Sequence, residues 1–294
     1  MMHEFNGRVA VVTGGASGIG RALAGAFAGE GMKVVIADVE ARALEKTAAE
    51  LRERGAEVSG VVADVSKRES VLALADRVFA SYGACHILCN NAGVGAPSAP
   101  VWETTPNDWA WIYGVNVMGV VHGIHAFVPR MLASGEEGLV INTSSGDGGI
   151  EPLPDQAVYA SSKAAVSIIT ECLGAQLAVA SDRMRAMVFY PSGGLLDTGI
   201  WSCDRNRPTE LQREVPVTGE PQTLEKFRAM AKKAGMDLPV QDLDELAQHL
   251  LGDIRAERFV SMIGREHAGA TLEQRAKRIG AGELPQAPSR GMMI

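Results

Sequence analysis

One stretch near the amino end constrains the fold more than any other. Arg8-Val-Ala-Val-Val-Thr13 runs into Thr13-Gly14-Gly15-Ala16-Ser17-Gly18-Ile19-Gly20 and then into Arg21-Ala-Leu-Ala-Gly-Ala-Phe-Ala28. A short β-branched run that stops at glycines reads as a buried parallel strand, and the small and apolar residues after the turn read as a helix. Glycines in a strand-turn-helix unit let backbone amides approach a pyrophosphate, which then sits at the positive end of the helix. The spacing is not G-x-G-x-x-G, so the surrounding chain must supply the rest of the argument.

It does so by repetition. Lys33–Asp38 reads as a second strand, 40–54 as a helix, 58–63 as a strand, 67–82 as a helix, and 85–89 as a strand that ends in Asn90-Asn91-Ala92-Gly93. Repeated βαβ units with short loops require an α/β fold, a doubly wound parallel sheet of Rossmann type with helices on both faces. Ligands of such sheets bind beyond the carboxyl ends of the strands, where Gly14, Asp38, Asp64 and Asn90 all fall. A carboxylate at Asp38 can accept hydrogen bonds from ribose hydroxyls and repels a 2′-phosphate, so NAD is expected over NADP, with Arg42 as the residue that could offset the repulsion. Asp38 can equally cap the helix that follows. Cys85, His86 and Cys89 share one strand, whose residues alternate faces, so buried cysteines are expected there and no metal site.

A second constellation begins at Ala157-Val158-Tyr159-Ala160-Ser161-Ser162-Lys163, the opening of a long helix expected over 156–178. At a spacing of four, the Tyr159 phenol and the Lys163 ammonium project from one face. An ammonium close to a phenol favours the phenolate and suits it to proton transfer with an alcohol or ketone. Upstream, Leu139–Thr143 reads as a strand that releases Ser144-Ser145-Gly146-Asp147 at its carboxyl end, where a hydroxyl can bond a substrate oxygen. Asn116 lies in a mostly apolar helical stretch, where a polar side chain is costly unless bonded.

Taken together and in this order, the glycine turn, Asp64, Asn90-Asn91-Ala92-Gly93, Asn116, Ser144-Ser145 and Tyr159-x3-Lys163 resemble the short-chain dehydrogenase/reductase family, from Phe5 to Ile263. The resemblance implies a dinucleotide held by Gly14, Ser17, Gly18, Ile19 and Gly20. It places Asp64 and Val65 at the adenine and Asn91, Ala92 and Gly93 beside the cofactor. Tyr159 and Lys163 touch the nicotinamide ribose, and Pro191, Leu196 and Thr198 touch the carboxamide or phosphates. Ser145 is the expected third catalytic residue. It precedes Tyr159 by fourteen residues where the family more often has thirteen, which leaves Ser144 open. Asn116 either satisfies a neighbouring helix or marks a bend holding a water that links Lys163 to solvent. Pro191-Ser192 stands where the family usually has Pro-Gly.

Reversible oxidation of an apolar secondary alcohol, of aryl, alicyclic or steroid-like type, is the implied activity; a dehydratase or isomerase, or a dinucleotide-binding regulator, are the alternatives. Residues 1–264 are expected to form one catalytic domain, with a substrate lid inserted at about 199–240, carrying Trp201, Phe227 and Met230 and a helix over 223–234. A helix over 243–254 and a strand over 258–263 are expected to complete the sheet, and residues 265–294 to form a helical extension and tail. The apolar circumference of the 156–178 helix asks for cover from a second copy, so a dimer, or a tetramer, is expected. A net charge of −7 with no Lys/Arg block argues against nucleic acid. The amino end shows no secretory pattern and no apolar run was found long enough to span a bilayer, so a cytoplasmic address is expected.

Overall fold

The computed structural model describes residues 4–215, 223–233, 235 and 238–285. Pro216, Pro221, Ala234, the first three residues and the tail from 286 lie outside the described residues. The first half runs β1 (Val9–Thr13), α1 (Gly18–Gly29), β2 (Lys33–Asp38), α2 (Ala41–Glu53), β3 (Val58–Val62), α3 (Arg68–Tyr82), β4 (Ile87–Asn90), α4 (Pro106–Tyr113) and α5 (Gly119–Ser134). The second half runs β5 (Gly138–Thr143), a single turn α6 (Gly146–Gly149), α7 (Ala157–Ala180), β6 (Met184–Phe189), α8 (Leu224–Lys233), α9 (Leu243–Arg255), β7 (Val260–Ser261) and α10 (Arg265–Ala281).

All seven strands pair in parallel in the order β3-β2-β1-β4-β5-β6-β7. The order reverses between β1 and β4, which opens the crevice where such sheets bind ligands. Each face has its own core. Leu23, Phe27, Ile36, Leu250 and Leu251 pack on one side, and Leu74, Leu88, Phe127, Met131 and Leu173 on the other. Cover on both faces explains why β1 is buried along its whole length and reads as a continuous apolar run.

Two expectations need amendment. The final strand, expected over 258–263, contracts to two residues, because it is an edge strand pairing only Val260 with Val188 and Ser261 with Phe189. The chain then bends at Ile263, whose N–H donates to Ser192 Oγ at 2.9 Å. The second concerns membranes. Pro106–Ser134 and Ala157–Ala180 are each long and apolar enough to cross one by length and composition, although interspersed Asn, His, Ser and Thr residues break the apolar run in sequence. Both helices flank the sheet, with residues such as Phe127 and Leu173 in its core. Only 33% of the apolar window of α7 is buried within this chain, however, and Ile168 and Val179 are 59% and 91% exposed.

Between α4 and α5 the helix widens into a π turn, Gly114–Met118, which contains Asn116. Turns of this kind interrupt the regular ladder at a defined place and concentrate at functional sites.

Candidate active site

The glycine turn is shaped by packing as much as by conformation. Gly14 and Gly18 take left-handed backbone angles, φ +66° and +52°. At Gly20 a β-carbon would collide with the Gly14 carbonyl, and at Gly14 it would lie 2.9 Å from Ala92 Cα. The turn thus needs glycine for its own closure and to let the Asn91-Ala92 segment against it. Thr13 ties the two together: its Oγ1 accepts the N–H groups of Asn91 at 3.0 Å and Ala92 at 3.1 Å, and its carbonyl accepts Asn91 Nδ2 at 3.0 Å. Ser17 makes no side-chain cap to α1, and the first turn of that helix carries no acidic residue. The helix therefore presents N–H groups and a positive end to the cleft, as an anionic pyrophosphate requires. A dinucleotide fits the residues present.

Asp38 ends β2 facing this turn. Oδ2 accepts the Ala16 N–H at 3.1 Å and Oδ1 accepts the Glu40 N–H at 3.0 Å, so one carboxylate braces the glycine turn and the start of α2. Asp64 accepts the N–H and hydroxyl of Ser66 at 2.9 and 2.7 Å. Val65 is buried, and its carbonyl bonds His122 Nδ1 at 2.9 Å. Cys85, two residues before β4, and Cys89 within it are buried, with thiols pushed up by desolvation. His86 Nδ1 accepts the Val9 N–H at 3.0 Å, and Nε2 bonds Glu136 at 2.7 Å.

The two candidate serines have different surroundings. Ser144 is buried, bonding the Lys163 carbonyl and Ser167 Oγ, each at 2.8 Å. Ser145 instead faces the cleft, hydrogen-bonded to the Tyr159 side chain. Its Oγ also accepts the Asp147 N–H at 3.2 Å, which caps α6. The extra loop residue is accommodated by Gly148, at φ +96° and pressed on the Ala160 carbonyl. Ser145 rather than Ser144 therefore meets the phenol.

Lys163 is buried, with Nζ donating to the Thr143 carbonyl at 2.9 Å and lying 5.8 Å from the centre of the Tyr159 ring. Burial lowers its pKa to about 8. The Tyr159 phenol is pushed above its usual value, first by burial; the Ser145 hydrogen bond opposes the rise, and Asp147 and Cys203 add to it. From its spacing the ammonium is expected to lower the phenol; burial, the largest influence, raises it instead. Asn116 uses its amide fully. Oδ1 accepts the Val94 N–H at 2.9 Å, while Nδ2 donates to the Val94 carbonyl and to Ser162 Oγ, each at 3.0 Å. Both amide N–H groups are thus engaged in joining the π turn to α7 and to the loop after β4.

Beyond β6, Ser192 occupies the expected glycine position for a visible reason: its hydroxyl exchanges hydrogen bonds with the main chain of Ile263. Pro191 follows Tyr190 at the end of β6, and the Leu196 carbonyl accepts Trp201 Nε1 at 2.9 Å. Thr198 caps a 3₁₀ stretch, Gly199–Asn206, and lies against Gly18, whose added β-carbon would come within 3.1 Å of Thr198 Cβ. Trp201 and Phe227 pack ring to ring at 5.7 Å, joining this segment to α8.

Sequence reasoning missed what anchors the segment. Asp108, buried in the capping box of α4, binds Arg207 at 2.7 Å and Arg213 at 2.9 Å, and Arg207 stacks on Trp111 at 4.8 Å. Thr105-Pro106-Asn107-Asp108 is a legible capping box, but nothing local marks partners a hundred residues away.

Comparison with known proteins agrees with this geometry. A solved short-chain dehydrogenase/reductase from Burkholderia phymatum, in complex with NAD, superposes with TM-score 0.86 at 38% identity, covering 98% of this chain and 99% of that one. The Cα-dehydrogenase of Sphingobium is 46% identical over 145 residues, 49% of this chain and 47% of that protein, so the match spans about half of each. A metagenomic short-chain oxidoreductase in complex with NADP aligns with TM-score 0.61 at 31% identity, covering 65% of this chain and 84% of that one. The family model described as short chain dehydrogenase matches residues 8–206, the span that holds the glycine turn, Ser145, Tyr159 and Lys163. The chain is an oxidoreductase of the short-chain dehydrogenase family.

Proposed function

We propose that the chain is an NAD-dependent dehydrogenase that interconverts a secondary alcohol and a ketone. The observation that carries this reading is the Tyr159 phenol bonded to Ser145, with Lys163 buried beside it, in the crevice that begins at the glycine turn. When bound, the dinucleotide would accept or donate the hydride. Ser145 Oγ orients the substrate oxygen against Tyr159. Tyr159 takes the hydroxyl proton in oxidation and returns it in reduction. Lys163 holds Thr143 at the end of β5 and offers its remaining N–H groups to a ribose. Asn116 fixes the loop after β4 against α7.

NAD over NADP rests on the Asp38 carboxylate at the end of β2, where a 2′-phosphate would meet repulsion; Glu40 is paired with Arg205, and Arg42 is exposed. An apolar substrate rests on the apolar residues of the lid, where Trp201 packs on Phe227 and where Cys203 and Leu211 pack against the buried cluster of Val94, Trp111, Ile112 and Val158. A homodimer rests on α7, whose apolar surface at Ile168, Cys172 and Val179 stays open. Sedimentation at micromolar concentration should find a dimer or larger; a monomer alone removes that part.

A screen of secondary alcohols coupled to NAD, repeated with NADP, tests the main reading. Reduction of NAD by an apolar alcohol, faster than of NADP, is the expected result. Turnover without change in NADH absorbance points to a dehydratase or isomerase, and NADH binding with no turnover across the panel points to a regulator.

A further inference from the structure

Residues 198–206 form a strap across the carboxyl edge of the central strands, and its contacts fall on three strand ends. Past β1, Thr198 packs on Gly18. Past β4, Cys203 Sγ accepts the Gly95 N–H at 3.3 Å, and Ile200 lies within contact distance of the same glycine. Past β2, Arg205 and Asn206 both donate to Glu40 Oε1, the latter at 2.7 Å. The strap therefore crosses β4, β1 and β2, the width over which a dinucleotide lies in a sheet of this order.

Its two fastenings differ in kind. Arg207, just past the strap, is 2% exposed and paired with Asp108, which is 1% exposed, so parting them would strand a buried charge. Arg205 and Glu40 are 39% and 30% exposed, and solvent can take over each charge when they separate. Arg205 also holds the strap's own shape through the carbonyls of Gly199 and Ser202, at 2.9 and 2.8 Å. On the other side, Glu40 is continuous with the cofactor cradle: its N–H bonds Asp38, and Asp38 bonds the glycine turn at Ala16. Strap, ribose-facing carboxylate and pyrophosphate turn are one hydrogen-bonded chain.

We propose that Glu40 is a positioning residue that latches this strap over the dinucleotide, so that cofactor exchange requires the Glu40–Arg205–Asn206 contact to open while Arg207 stays seated as the hinge. The inference rests on the dinucleotide-binding reading above and adds to it the element that controls release. Neither Glu40 nor Arg205 takes part in proton transfer, so the effect falls on binding and release.

NADH dissociation, followed by its fluorescence on rapid mixing with excess NAD, tests the latch in wild type, Glu40→Gln and Arg205→Met. Release should quicken roughly fivefold in either variant at low salt, the scale of a partly exposed ion pair. Added salt should quicken release from wild type and leave the variants nearly unchanged. Amide exchange across 199–206 in the ligand-free protein should rise in both variants. Arg205→Met carries the test alone if Glu40→Gln proves poorly folded. Unchanged NADH release and strap exchange, in variants that still bind NADH, overturn the latch alone. A wild type that binds neither NADH nor NADPH overturns the dinucleotide reading and the latch together.

Discussion

On the floor of the cleft, Ser144, Ser145, Tyr159 and Lys163 are held by short hydrogen bonds to main chain and to one another. In the strap above it and the residues just past it, Arg205, Arg207 and Arg213 are held by carboxylates on Glu40 and Asp108. The floor grows out of β5 and α7, whose positions the sheet fixes, and its bonds are local to those two elements. The strap returns from beyond β6 and has no strand of its own, so charged side chains reaching across the cleft fasten it. On the proposed function and latch, the contrast separates groups held still for proton transfer from a segment that opens for cofactor exchange.

The floor should fail chemically and not structurally. Tyr159→Phe is expected to lower kcat in both directions by about 10²–10⁴-fold, the range of a lost general acid or base, while NADH affinity stays at the wild-type value. Steady-state kinetics with a fluorescence titration checks both halves, and near wild-type turnover would remove Tyr159 from the mechanism. The strap should fail the other way. Asp108→Ala leaves Arg207 and Arg213 buried without their shared carboxylate, which should cost about 3–5 kcal/mol of stability. Calorimetric melting reads the loss, and limited proteolysis should cut near 207–215; a melting point unchanged from wild type would show that the arginines find other partners.

A smaller effect is expected in the pH dependence. Ketone reduction needs Tyr159 neutral and Lys163 charged. Burial raises the phenol and brings the lysine down to about 8, so kcat/KM for reduction should fall as pH rises through about 8, well before the ordinary lysine range. For stability the sign runs opposite: between about 8 and 10.5 the unfolded chain still binds the proton that native Lys163 has released, so this group's contribution rises with pH there. A descending limb that stays near 10 would mean that Lys163 is better solvated than its burial implies.

Much of the floor was legible in the sequence because it is written in local spacing. The glycine turn, the strand ends and Tyr159-x3-Lys163 each depend on residues a few positions apart, and the sheet order brings them together. The choice between Ser144 and Ser145 was not legible, since it depends on how Gly148 folds under Ala160. Spacing also suggested that Lys163 would lower the phenol, and missed that burial of Tyr159 raises it. The strap's fastenings were hidden for a related reason. Asp108 announces itself as a cap and Glu40 as the start of a helix, and neither pattern says that an arginine will arrive from the far half of the chain.

The finest test of the contrast is the neighbouring pair of serines. Ser144→Ala removes a buried hydroxyl that bonds the Lys163 carbonyl, but Ser167 Oγ bonds the same carbonyl at 3.1 Å and receives the Tyr190 hydroxyl at 3.0 Å, so the acceptor is not orphaned. A loss of about 1 kcal/mol is expected, that of one net hydrogen bond, with turnover close to wild type. Ser145→Ala should lower kcat, because its hydroxyl serves Tyr159, and should also cost about 1 kcal/mol through the lost cap of α6. Chemical denaturation and turnover measured on both variants settle the division. If Ser144→Ala loses as much activity as Ser145→Ala, the buried hydroxyl is setting the position of Lys163 through its carbonyl, and the floor is more tightly coupled than its separate hydrogen bonds suggest.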